Sequence, residues 1–322
     1  MHIIRKILIG FLVVFAGFVT AVIISSDKSP IGHWKNPEAE HEYKAAYEAA
    51  MKKMPTPTNS YDITIEFGVV RVYKWENTGN KEATPIILFP GRSSGVPMWY
   101  LNISDFCKYR TVYALDALGD AGLSLQTKQI KNSEDQAKWI EKVFDNLNLN
   151  KINAIGHSFG GWLVANYASY YPKRIKSIVL LEPVFTFQPI KLSIIIKSIP
   201  YSIPFLPKSM KKGLLEAISG TKEIDTTDPI ANMISIGSLE YVSKLPTPEQ
   251  ITIPQIKSWL FPAYSGFGGK SSVHDSVKAY EVAKKNIRSF MGNIWKQGSH
   301  SLPMEFYNDV DSQILIFLQE NN

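Results

Sequence analysis

The chain has 322 residues, 45% of them hydrophobic and 20% charged, an ordinary balance for a globular enzyme and too apolar for a disordered chain. Its formal charge of +6 comes from lysines and arginines spread along the sequence with no run of five basic residues, so nucleic-acid binding has no footing here. The single cysteine, Cys107, excludes an internal disulfide, and no Cys/His spacing suggests a zinc site; a core of this size needs neither staple.

At the N-terminus, His2, Arg5 and Lys6 precede residues 7–24, which carry no charge and only Thr20 as a polar side chain. Eighteen helical residues span about 27 Å, close to the hydrocarbon thickness of a bilayer. The exit, Ala21-Val22-Ile23-Ile24-Ser25-Ser26, is a poor cleavage site, which favours an uncleaved anchor over a signal peptide. Arg5 and Lys6 would stay on the cytoplasmic side and leave the remainder outside the cytoplasm. The expected division is 1–27 anchor or signal segment, 28–84 tether, helix and first strands, 85–184 and 258–322 the two parts of a core, and 185–257 an insertion.

After a short tether, residues 37–54 read as an amphipathic helix ended by Pro55 and Pro57. Residues 61–67 and 69–75 alternate apolar and polar side chains and predict a hairpin. From Thr84 onward the rhythm is strand, loop, helix, repeated. The runs 85–89 (PIILF), 111–115 (TVYAL), 152–155 and 175–181 (IKSIVLL) have the continuous apolar character of strands buried on both faces. Between them lie a helix from Ser133, where Ser133 and Gln136 have capping-box spacing, and a helix 159–171 stopped by Pro172. Strands alternating with helices predict a mostly parallel sheet with helices on both faces. Residues 185–257 break the rhythm with eight prolines among apolar and aromatic residues and are expected to form a helical lid. The alternation returns with a strand at 261–267, a helix at 275–286, a strand at 289–294 and a last helix at 303–318.

The central chemical signal is Gly156-His157-Ser158-Phe159-Gly160-Gly161, set between the strand KINAI and the helix-forming run WLVANYASYY. G-x-S-x-G in that setting describes a nucleophile elbow, a sharp turn that raises Ser158 above the sheet. The Phe159 amide, at the helix N-terminus, is a candidate oxyanion donor. A second donor is expected from the loop after PIILF, where Gly91 allows close backbone approach and the Arg92 amide is the candidate. The Arg92 side chain could also meet an anionic substrate group. Of six histidines, His2, His33 and His41 lie too early, His157 sits beside the serine and is expected to pack or bond locally, and His274 precedes the final strand. His300, in Gly298-Ser299-His300-Ser301 between the last strand and last helix, is placed to act as the base. Asp116 and Asp120, in a tight turn leaving a strand, are expected to hold that loop through bonds to its backbone.

The motifs FPGRSSG, LDALGDAGLS, GHSFGG and the terminal GSH with its following LP and Glu305 resemble those of the α/β-hydrolase superfamily, and among its members the carboxylesterase-like ones. The resemblance covers roughly residues 84–318 without the lid. It implies a cofactor-free hydrolase, with no metal, that cleaves carboxylic esters of small or moderately apolar molecules. It implies a Ser, acid, His order along the chain. The usual His-Gly of the oxyanion loop is Pro90-Gly91 here. The position where similar enzymes carry an Asp is Ser271, in Gly268-Gly269-Lys270-Ser271. Asp275, four residues on, is the first candidate acid, with a helix cap as its ordinary role; Glu182, at the end of IVLLEP, is the alternative. Aromatic residues near the ends of the lid (Phe185, Phe187, Phe205, Tyr241, Trp259 and Phe261) suggest an apolar pocket. A different hydrolysis on the same scaffold, or an anchored binding protein without activity, would share most of these features.

Overall fold

The computed structural model describes residues 27–77, 79–80, 82–198, 213, 216–218, 220 and 225–321. Residues 7–24, the expected anchor, and Phe205 lie outside them. Among the described residues no helix is long and apolar enough to cross a membrane.

The strands in chain order are β1 (His33–Trp34), β2 (Asn59–Ile65), β3 (Gly68–Trp75), β4 (Ile86–Phe89), β5 (Val112–Leu115), β6 (Leu125–Gln126), β7 (Ile152–His157), β8 (Ile175–Leu181), β9 (Tyr241–Val242), β10 (Ala263–Gly268) and β11 (Phe290–Trp295). Among the described residues, nine of them form one sheet in the order β11-β10-β8-β7-β4-β5-β3-β2, with β6 also on β3. The six strands from β11 to β5 are parallel to their neighbours. The β2–β3 hairpin joins antiparallel, which makes the sheet mixed.

The helices are α1 (Pro37–Met51), α2 (Ile103–Cys107), α3 (Ser133–Asn146), α4 (Phe159–Tyr170), α5 (Leu192–Ser198), α6 (Pro229–Glu240), α7 (Ile253–Lys257), α8 (Ser276–Asn286), α9 (Leu302–Glu305) and α10 (Tyr307–Glu320). Side chains alternate across a strand, and the central strands use both faces. Ile87 and Phe89 of β4, Ala154 of β7, and Ile178 and Leu180 of β8 pack with α3, α4 and α8. Their neighbours Ile86, Leu88, Ile155, Val179 and Leu181 pack with α1, α2, α6 and α10. This double covering is why those strands read as unbroken apolar runs.

Several details depart from the pattern of the sequence. Helix α3 is capped by Asn132, whose side chain accepts from the Asp135 amide, while Ser133 gives its hydroxyl to Glu249; the expected Ser133–Gln136 box does not form. The single last helix is two helices, because the backbone at Phe306 leaves helical geometry with φ −125° and ψ 31°. The short helix α2 and the tight 3₁₀ turn Val96–Trp99 carried no legible period. The described parts of the insertion between β8 and β10 hold the helices α5, α6 and α7 and one short strand. That strand, β9, pairs antiparallel with β1, His33 opposite Val242 and Trp34 opposite Tyr241. Helix α1 packs along α6, so the tether and the insertion share an interface.

Candidate active site

Strand β7 delivers Ser158 into a turn with φ 54° and ψ −115°, a conformation that L side chains rarely adopt. The turn closes only because its flanks are glycine. A Cβ at Gly156 would stand 2.3 Å from the Gly160 carbonyl oxygen, and one at Gly160 would stand 2.2 Å from the Phe89 oxygen. The amide of Ser158 donates to the Leu181 oxygen at 2.9 Å, which ties the elbow to the end of β8.

The loop between β11 and α9 brings His300 over the serine. Its Nε2 lies 2.8 Å from Ser158 Oγ and its Nδ1 lies 2.8 Å from Glu182 Oε2. A carboxylate only accepts, so Nδ1 carries the proton, and Nε2 is the lone pair that faces the serine hydroxyl. The structure thus puts Glu182, and not Asp275, against the histidine. Asp275 is the N-cap of α8, accepting from the Lys278 amide at 3.1 Å, with its other oxygen 3.3 Å from Lys278 Nζ.

Glu182 sits one residue past β8 with φ 49° and is fully buried. Its Oε1 accepts from the Gly268 amide at 2.6 Å and its Oε2 from Ser271 Oγ at 2.5 Å. Ser271, in the position where a carboxylate was sought, instead holds the carboxylate that reaches across from the adjacent strand. His274 Nε2 lies 3.7 Å from Oε1, and neither nitrogen of that buried ring has a hydrogen-bond partner among the described residues. Burial disfavours charge on both partners of the central pair. It pushes His300 down to about 4 and raises the Glu182 carboxyl above its usual value, against the opposing pull of His274, Ser271 and the Gly268 amide.

His157 contributes more than local packing. Its Nε2–H donates to the His300 carbonyl at 2.8 Å, and a Cβ at Gly91 would lie 2.9 Å from its Nδ1. One buried ring therefore touches both the histidine loop and the oxyanion loop. Desolvation, with repulsion from His300, pushes it down to about 3, so it is neutral. Nothing in the sequence beyond its adjacency to Ser158 marked this role.

The amides of Phe159 and Arg92 meet no acceptor among the described residues. The loop that carries Arg92 hangs from two buried aspartates. Asp120 accepts from the Ser93 amide at 2.8 Å, where Ser93 has φ 57°. Asp116 accepts from the amides of Val96 and Leu123 at 2.8 and 2.7 Å. These aspartates do hold their own turn, as the sequence suggested, and they hold the neighbouring loop as well. Burial raises Asp116 to about 6. Among the described lid-end aromatics, three are core residues. Phe187, Trp259 and Phe261 are buried among the residues of the α4 face of the sheet, and Tyr241 packs edge-on against Trp34. Among the described residues no group of three or more Asp, Glu, His or Cys could hold a metal ion.

Residues 84–203 match the family model described as "alpha/beta hydrolase fold". The naproxen esterase (carboxylesterase NP) from Bacillus subtilis superposes with a TM-score of 0.79 at 23% identity, over 88% of this chain and 99% of that one. The chain has the α/β-hydrolase fold. Two curated relatives come from Bacillus subtilis (strain 168). The uncharacterized carboxylesterase nap is 36% identical over 148 residues, 46% of this chain and 48% of that protein, so the match spans about half of its length. The carboxylesterase YbfK is 25% identical over 283 residues, 85% of this chain and 92% of that protein.

Proposed function

We propose that this α/β-hydrolase is a serine hydrolase that cleaves carboxylic esters of small or moderately apolar molecules through an acyl-enzyme. The observation that carries this reading is the unbroken chain from Ser158 Oγ to His300 Nε2 and from His300 Nδ1 to Glu182 Oε2, each link 2.8 Å. His300 takes the serine proton as Oγ attacks the ester carbonyl. The resulting imidazolium is held by Glu182 and returns the proton to the leaving alkoxide. The amides of Phe159 and Arg92 receive the developing oxyanion, a role in which one donor typically contributes about 3–4 kcal/mol. Water, activated by the same histidine, then releases the acid. The naming of both curated relatives as carboxylesterases supports the ester as the bond cleaved.

Labelling by a fluorophosphonate together with turnover of 4-nitrophenyl esters tests this. Wild type should label and turn over, and Ser158→Ala should do neither while keeping its fold, with a loss on the order of 10⁶ in kcat. Retained turnover in Ser158→Ala would sink the proposal. Folded wild type that takes no label would favour the anchored binding-protein reading, and a panel of lactones, amides and C–C substrates separates the other hydrolyses. The reading of residues 7–24 as an anchor, with the catalytic part outside the cytoplasm, remains a proposal from the sequence. Protease added to intact cells should degrade the catalytic part if it holds.

A further inference from the structure

The two amides assigned to the oxyanion belong to residues whose side chains meet. The Arg92 guanidinium carbon lies 4.4 Å from the centroid of the Phe159 ring, and that ring stacks in turn on Trp162 at 5.7 Å. A cation over an aromatic face is held in position by the ring's quadrupole. Ser243, just past β9, fixes the other side by accepting from Nη1 at 2.9 Å. The charged group is therefore held within one side-chain length of the carbonyl oxygen that both amides would bind.

This cation is not consumed by the structure around it. The guanidinium has five N–H donors, and among the described residues only the one to Ser243 meets an acceptor within hydrogen-bond distance. The side chain is 38% exposed. Asp120 Oδ1 lies 4.0 Å from Nη1, but the two oxygens of that carboxylate already accept from the amides of Ser93 and Ala121 at 2.8 and 2.9 Å. A planar guanidinium fork, pre-positioned and with donors unengaged, is suited to carboxylate and phosphate oxygens.

We propose that the Arg92 side chain is a specificity determinant that binds an anionic substituent, carboxylate or phosphate, on the ester substrate. The inference rests on the serine-hydrolase reading for the identity of the reacting bond, and it names a substrate class for that site.

The test compares three esters of one leaving group: 4-nitrophenyl pentanoate, mono-4-nitrophenyl glutarate and the corresponding ω-phosphonate. The quantity read is the ratio of kcat/KM for each anionic ester to that for the neutral one, so any general loss of activity cancels. Arg92→Met should lower this ratio at least tenfold, equivalent to about 1.4 kcal/mol, with Arg92→Lys in between. Raising the salt concentration should lower the wild-type ratio towards that of Arg92→Met. The larger ratio, carboxylate or phosphonate, identifies the anion. An unchanged ratio in Arg92→Met overturns the proposal. Binding of monoethyl glutarate by Ser158→Ala protein, read by calorimetry, needs no turnover. It should weaken at least tenfold on adding Arg92→Met, and equal or unmeasurable binding in the two proteins overturns the proposal. If wild type hydrolyses no ester yet the binding difference appears, the hydrolase reading fails and the anion site stands.

Discussion

Two neighbouring parallel strands, β8 and β10, end on the side of the sheet where Ser158 stands, and each end could have carried the acid. After β8 the chain places Glu182 at φ 49°, fully buried, with both carboxylate oxygens bonded and His300 at 2.8 Å. After β10 it places Gly269, Lys270 and Ser271, and the first carboxylate, Asp275, is partly exposed at a helix start. The two ends differ less in the presence of an acid than in what surrounds it. One carboxylate is desolvated and pinned by a neighbouring loop, and the other is solvated and occupied with a cap. An acid orients a histidine only if its own oxygens are fixed, so the buried strand end takes the role and the other end supplies donors.

The largest test of this contrast is Glu182→Gln, which should cost kcat about 10⁴-fold, as expected when a triad base loses the partner of its correct tautomer; Asp275→Asn, assayed beside it, should stay within about twofold. The reverse outcome would transfer the role back to β10. A sharper version moves the acid between the strand ends. Since Ser271 Oγ is 2.5 Å from the carboxylate oxygen that meets His300, Ser271→Asp added to Glu182→Gln should restore at least tenfold of the lost rate. No restoration would mean that only the β8 end can aim a carboxylate.

His157→Phe keeps an aromatic ring and deletes the donor to the His300 carbonyl. It should lower kcat about tenfold with KM little changed, roughly the value of one buried hydrogen bond. His157→Gln, which can donate from a similar position, should recover part of it. Equal rates for Phe and Gln at equal thermal stability would reduce His157 to packing.

The pH profile follows from the burial of His300. A base works when neutral, and a value near 4 keeps it neutral well below the ordinary imidazole range. The kcat/KM at pH 5.5 should therefore stay within about twofold of that at pH 7, where an unperturbed histidine would lose about tenfold. Because His300 and His157 are both lowered, their contribution to stability is present above about 6.5 and is lost as pH falls through about 4 and 3. Denaturant titrations between pH 7 and 4 should show the midpoint falling. The smallest effect belongs to Asp275→Ala, which should cost about 1 kcal/mol through loss of the α8 cap, read as a lower Tm with unchanged rates.

The sequence was most legible where one residue type answers a local demand. Gly156, Ser158 and Gly160 mark a turn that tolerates nothing larger beside the serine, and the runs IILF and IKSIVLL mark strands covered on both faces. The acid was less legible because its place depends on which strands become neighbours and on backbone donors, Gly268 among them, that any residue could supply. His157 and Asp120 were misjudged in scope for the same reason: each bonds a loop distant in sequence. The cap of α3 was misread because Asn132 and Ser133 are both good capping residues, and the tertiary bond from Ser133 to Glu249 decides between them. Aromatic residues near the lid ends suggested a pocket, but apolar side chains at an element boundary serve a core equally well, and Trp259 and Phe261 do so.

The β1–β9 pairing has a practical bearing on how the chain can be shortened. His33 and Trp34 hold Tyr241 and Val242; the next residue, Ser243, holds Arg92; and Asp27 reaches Lys244 at 3.1 Å. The tether is thus the outer strand of a two-stranded ribbon whose inner strand leads directly to the oxyanion loop. A recombinant form that keeps Asp27 retains this brace, whereas one that starts beyond Trp34 leaves β9 as an open edge, the kind of edge that invites pairing with another chain.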